Sequence, residues 1–328
     1  MFGFIEITPW HWAGFILCVL IFLALDLGIF HRQPKVVKFK EALVWSIGWV
    51  VLSMLFAALL VVVRGRTEAV EFVTGYVIEL SLSMDNVFVI ALIFSYFSVP
   101  AQYQHRVLFW GILGALVMRG VMILAGAALI ERFQWMLYLF GAFLVFTGIK
   151  MFFASQEGVE PGKNPVVRLA RKIFPVTEEL HGEKFLARVN GRTVLTSLAM
   201  VLIVVETTDL VFALDSIPAI FAVTTKPFIV FTSNVFAILG LRSLYFVLAG
   251  AMDYFRYLKA GLAVVLVFVG VKMLIAPHGH GAAPALWFQL EISTLISLLV
   301  VGGIIGTSIL LSVVARRRMQ NTTSSRPQ

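Results

Sequence analysis

The chain has 328 residues, 60% of them hydrophobic and only 13% charged, with 26 Lys and Arg against 18 Asp and Glu. About 25% charge is usual in a soluble domain, so an ordinary soluble domain is excluded. The formal charge of +8 does not call for nucleic acid, because the basic residues gather between apolar runs, as they do at the cytoplasmic face of a membrane. A single cysteine, Cys18, rules out an internal disulfide framework and any CxxC pair.

Apolar runs of membrane length predict about nine transmembrane helices, at 11–30, 41–63, 71–97, 105–130, 133–153, 194–223, 227–250, 255–276 and 287–315. The first run contains Asp26 and lacks both a preceding basic region and a small-residue cleavage site, so it reads as a retained span rather than a signal peptide. The polar stretch 154–193 is too short and too polar for a domain with its own core. One membrane domain therefore fills 1–328. It has two N-terminal spans (10–63), a first unit (71–153), the 154–193 loop, a second unit (194–276), a last span (287–315) and a basic tail (316–328). Seven tryptophans fall near span ends, as an interfacial belt requires.

With the N-terminus outside and the C-terminus inside, nineteen Lys and Arg lie on the cytoplasmic side and four on the outer side, which supports that orientation. Three more, Arg119, Arg242 and Lys272, lie within spans. The sequence also repeats itself. YVIELSLSMDNVFV is matched by VVETTDLVFALDSIPAIF, VMRGVMILAGA by GLRSLYFVLAGA, and FTGIKMF by FVGVKML. Spans three to five thus recur as spans six to eight. A three-helix unit has odd parity, so the second copy enters the membrane from the opposite side, giving an inverted repeat with a midplane site between the halves.

The first acidic segment carries Glu79, Asp85 and Asn86; the second carries Glu206, Asp209, Asp215 and Ser216. An ionised carboxylate at the bilayer centre costs about 2.5–3.5 kcal/mol on insertion scales, so these acids need compensation, and a cation supplies it. Residues six apart differ by about 240° around a helix. Glu79 and Asp85 therefore serve different partners, as do Asp209 and Asp215, unless the helix is broken. Pro218 gives the second copy a reason to break, because it leaves the carbonyl of Leu214 without its donor. Asp85 and Asp215, with Asn86 and Ser216 beside them, are expected to meet across the pseudo-two-fold axis. Carboxylate, amide, hydroxyl and carbonyl oxygens suit hard divalent ions such as Mn²⁺, Mg²⁺ or Ca²⁺. Against this stands a plainer role, acids paired with Arg119 and Arg242 to hold helices together. Asn234 reads equally as a ligand or an interhelical hydrogen-bond donor. His278 and His280 form an HGHG connection more in keeping with a loop than with a metal site. No phosphate-binding, nucleophilic or haem motif points to an enzyme or to a tightly bound organic cofactor.

These strings, together with FSYFSVP, LYLFGAFLVFTGIKMF and FALDSIPAIFAVTTKPFIVFTSNVFAILGLRSLYFVLAG, resemble the TerC family of bacterial membrane proteins, and its alkali-inducible Alx-type members in particular. The resemblance implies a multi-pass inner-membrane protein linked to Mn²⁺ export, with some relatives linked to tellurite resistance, alkaline-pH response or metal supply to secreted enzymes. It carries the family's acidic positions onto Glu79, Asp85, Glu206, Asp209 and Asp215, and the polar ones onto Asn86 and Ser216. The leading expectation is a secondary transporter exporting Mn²⁺ as its substrate, with Arg119, Arg242 and Asn234 as structural or gating groups. One alternative is an accessory factor whose 154–193 loop binds a membrane or secretion-machinery partner. A redox modulator is the other, and one cysteine gives it little to work with.

Overall fold

The computed structural model describes residues 7–25, 39–153, 165–177, 182–189, 191–249, 257–276 and 290–324. Ten helices make up most of these residues. They are α1 (Pro9–Leu25), α2 (Phe39–Arg64), α3 (Arg66–Tyr96), α4 (Ala101–Arg132), α5 (Met136–Phe153), α6 (Pro165–Ile173), α7 (Ser197–Phe221), α8 (Pro227–Ala249), α9 (Leu258–Ile275) and α10 (Thr294–Ser324). Strands β1 (Leu186–Val189) and β2 (Arg192–Leu195) form a small hairpin between α6 and α7. Among the described residues eight helices are long and apolar enough to cross a bilayer, and Pro9–Ala24 is a shorter apolar helix. Each expected span is thus a helix, and the protein is an all-α polytopic membrane protein.

Outward-facing positions stay apolar where a soluble protein would turn polar. Val62 is 70% exposed and Leu299 67%, as expected of side chains that meet acyl chains rather than water. Inward-facing positions form a central core in which Ile78, Ile112, Ile123, Leu144, Ile217, Ile220, Ile238 and Val265 bring α3, α4, α5, α7, α8 and α9 together. The shorter α1 lies against α8 through aromatic contacts, Trp12 on Phe228 (5.3 Å between centroids) and Phe15 on Phe231 (6.0 Å).

Helix α3 begins at Arg66, ahead of its apolar run, because the charges there are paired. Arg64 bonds Glu68 at 2.8 Å, and Lys226 reaches both Glu68 and Glu71 at 3.2 Å. Only Gly65 separates α2 from α3, and its φ of 92° is one that a side chain would resist. The stretch 154–193 holds more structure than its polarity suggested. Val189 pairs with Arg192 across a tight connection in which Gly191 has φ 77°, a conformation that glycine adopts without strain. Thr196 then starts α7, its hydroxyl accepting from the Ala199 amide at 3.3 Å. Helix α7 is not broken beside Asp215. Pro218 lies inside its last turn, where the Ala222 amide still donates to the Pro218 carbonyl at 3.1 Å.

Helices α5 and α9 cross at bare backbone. A Cβ on Gly270 would lie 2.7 Å from the Gly141 carbonyl oxygen, and one on Gly148 would lie 2.8 Å from that of Ala263. As 141 meets 270 and 148 meets 263, the two helices run antiparallel. Gly148 and Gly270 hold the same place in FTGIKMF and FVGVKML, and Gly141 and Ala263 stand seven residues before each. The two contacts are therefore the same contact with the copies exchanged. In α10, by contrast, a Cβ on Gly302, Gly303 or Gly306 would meet nothing within 4 Å, so these glycines support no close contact among the described residues.

Candidate functional site

At the junction of α3, α4 and α7 one arginine holds two carboxylates out of water. Arg119 of α4 is 1% exposed and Glu79 of α3 is 0%. The guanidinium forks onto Asp209 of α7, with Nε donating to Oδ2 at 3.1 Å and Nη2 to Oδ1 at 3.0 Å. Its Nη1 donates to Glu79 Oε1 and, at 3.1 Å, to the Ser216 hydroxyl. Ser83, one turn on from Glu79, lies 3.5 Å from the same Oε1, and the Asn86 amide approaches Asp209 Oδ1 at 3.4 Å. The network uses the planar fork that lysine lacks. Removing one member of a buried ion pair costs about 3–5 kcal/mol, because the charge left behind has no water to turn to.

These bonds also fix the register of α3 on α7. Asn86 meets Asp209, while Glu79 and Ser216 share one nitrogen of Arg119. The helices are thus antiparallel, as are α5 and α9. Glu79 corresponds to Asp209, and Asn86 to Ser216, in the two acidic segments, so exchanging the copies turns one meeting into the other.

The two acids expected at the centre look elsewhere. Because Asn86 and Ser216 turn onto the cluster, the residues just before them are rotated away by about 100°. Asp85 senses the charge of Lys259 at the start of α9. Asp215 has the Thr147 hydroxyl within hydrogen-bonding reach and senses Lys150, both on α5. Asp85 and Asp215 thus address the third helix of the other copy instead of each other. Leu214 is half exposed, on an outward side of α7.

Glu206, one turn before Asp209, lies over α4 where Gly114 has no side chain, and any Cβ there would collide with its carboxylate. Its Oε2 is buried and has no hydrogen-bond partner, and the same is true of Glu79 Oε2. Asn234 is 1% exposed, and neither its Oδ1 nor its Nδ2 is partnered. Arg242 lines a small cavity with Asp209, Gly111, Ile112 and Ala115. Among the described residues no three Asp, Glu, His or Cys side chains converge so as to hold a metal ion; Arg119 stands between Glu79 and Asp209. His278 and His280 lie outside the described residues, as does Asp26. Sequence reasoning missed the Gly114 notch and the partners Ser83, Thr147, Lys150 and Lys259. For Lys150 the repeated GxK motif was a usable signal; for the others there was none.

Comparison with known proteins agrees with this architecture. The model of the integral membrane protein TerC family matches residues 64–320. An uncharacterized membrane protein of Myxococcus xanthus is 50% identical over 98% of this chain and 97% of its own. Alx of Escherichia coli K12, provisionally designated a membrane-bound redox modulator, is 52% identical over 83% of this chain and 88% of its own. No solved structure matches. With most of its length covered by the family model and by relatives of this identity, the chain belongs to the integral membrane protein TerC family.

Proposed function

We propose that this protein is a secondary transporter of the bacterial inner membrane that exports a hard divalent cation, Mn²⁺ foremost, from the cytoplasm. The observation that carries the reading is the set of carboxylates at membrane depth. Glu79 and Asp209 come from two different helices and share one guanidinium, Glu206 stands one turn before Asp209 over Gly114, and buried oxygens of Glu79 and Glu206 are unpartnered. A merely structural pairing needs one acid per arginine and no spare acceptors. Oxygen donors of this kind suit Mn²⁺, Mg²⁺ and Ca²⁺ over softer metals. Asn86 and Ser216 add an amide and a hydroxyl oxygen, and Asp85 and Asp215 receive the cation on its way to or from the junction. The exchanged contact pairs of α3 with α7 and of α5 with α9 support an inverted repeat around this site, the arrangement on which alternating access is built. Coupling to proton antiport belongs to the same proposal, with the pH gradient across the inner membrane as its driving force. The redox designation of some relatives finds one cysteine here, Cys18, which has no second thiol in the chain to pair with.

Mn²⁺ flux into proteoliposomes, read with an enclosed metal-quenched dye, tests the proposal. The wild type is expected to carry Mn²⁺ faster than protein-free vesicles, and faster still with an opposing pH gradient. Glu79→Gln combined with Asp209→Asn is expected to remove the flux. Wild-type flux equal to that of empty vesicles overturns the function, and unchanged flux in the double variant overturns the site.

A further inference from the structure

Resting on that transport reading, we infer that Arg119 is the resident counter-cation of the cargo site, occupying the place of the divalent ion in this state and giving it up when cargo binds. The guanidinium makes four of its five possible donations to the groups that a cation would need: Glu79, Ser216 and both oxygens of Asp209. A divalent ion cannot reach those oxygens while the fork holds them. It also gains nothing from sitting beside a positive charge in a low-dielectric interior.

A second observation, independent of the acids' pairing, points to a state with different partners. Four buried polar atoms here lack any hydrogen bond: Glu79 Oε2, Glu206 Oε2, and both amide atoms of Asn234. The two carboxylate atoms border one stretch of α4, and the Asn234 amide lies level with it. Glu206 lies over Gly114, and Glu79 meets Arg119. On α8, Phe231 packs on Gly120, while Arg242 shares a cavity with Gly111 and Ala115. Asn234 falls between them on the same helix, which sets it along the part of α4 that carries Arg119. Buried polar atoms in native proteins are almost always partnered. Buried atoms left without partners along this stretch point to partners in another state. A cation held by Glu79, Asp209 and Glu206 would engage the two spare carboxylate oxygens. The Asn234 carbonyl would then be the acceptor open to the displaced guanidinium. The ion and Arg119 thus compete for the same carboxylates, and each stabilises a different arrangement of the helices, as alternating access demands.

The test is Mn²⁺ binding to the full chain in detergent, read by loss of the free Mn²⁺ paramagnetic resonance signal, alongside flux. Arg119→Gln is expected to bind Mn²⁺ at least tenfold more tightly than the wild type and to lose flux, because the site can no longer empty itself. If Arg119 only holds the helices together, the same variant weakens or abolishes binding, and the inference falls. Should Arg119→Gln fail to fold, Arg119→Lys keeps the charge but not the fork and is expected to bind several-fold more tightly. Unchanged or weaker binding by folded Arg119→Lys overturns the inference equally. A wild type that neither binds nor carries Mn²⁺, together with an Arg119→Gln that does not bind either, would instead overturn the transport reading.

Discussion

Replacing Gly270 with alanine isolates the crossing of α5 and α9. The new Cβ would stand 2.7 Å from the Gly141 carbonyl oxygen and 2.9 Å from the Val145 amide nitrogen. Both are backbone atoms, so the helices must move apart rather than let a side chain swing aside. Overpacking of this kind costs about 1–3 kcal/mol, whereas glycine to alanine within a helix gains about 0.5–1 kcal/mol. The propensity gain cancels if Gly270→Ala is compared with Gly302→Ala, since a Cβ on Gly302 meets nothing within 4 Å. The difference between the two variants then reads the crossing itself, and about 1–3 kcal/mol is expected. Thermal unfolding in detergent, followed by tryptophan fluorescence, measures their order: Gly302→Ala at or above the wild type, Gly270→Ala below both. A Gly270→Ala protein that unfolds no earlier than Gly302→Ala refutes the argument, because it would mean the backbones do not approach as closely as described.

Two further substitutions separate stability from function. Gly114→Ala displaces only the end of a flexible side chain, the Glu206 carboxylate, so its thermal midpoint is expected to match or exceed the wild type while Mn²⁺ flux falls at least tenfold; unchanged flux would remove Glu206 from the site. Asn234→Leu replaces a buried amide that makes no hydrogen bond with a larger apolar group of the same branching; relief of the amide, worth about 1–3 kcal/mol, is expected to offset the added bulk and leave stability at or above the wild type while weakening Mn²⁺ binding. A destabilised Asn234→Leu would show that the amide has a partner in the resting protein.

Much of the fold was legible because the bilayer simplifies the code. A spanning segment must satisfy its backbone internally, so each long apolar run became a helix. What escaped the reading lies where charges or turns act locally. The start of α3 is extended by Arg64 and Lys226 reaching Glu68 and Glu71, partners that come from other segments and leave no mark in the run itself. The hairpin at 186–195 did announce itself in the Asn190-Gly191 pair between two β-prone runs, but a polar loop discourages looking for strands. Pro218 suggested a break that the chain avoids by ending α7 within the next turn.

The site was legible as a list of residues but not as a geometry. Six-residue spacing correctly separated Glu79 from Asp85 and Asp209 from Asp215, since each pair addresses different helices. It could not say which member of each pair faces the junction. That choice depends on the register between α3 and α7, which is set by three residues together: Asn86 reaching Asp209, Ser216 reaching Arg119, and Gly75 admitting Ile220 and Ser233. Turning each helix by about 100° about its own axis, with a slide of about 1.5 Å, would bring Asp85 and Asp215 towards the centre in place of Asn86 and Ser216. The acidic segments therefore offer two alternative sets of oxygens on adjacent positions of the same helices. In the structure Arg119 binds the set containing Glu79 and Asp209, while Asp85 and Asp215 lie within the fields of Lys259 and Lys150. Exchanging one set for the other would need no break in either helix, only a turn about its axis.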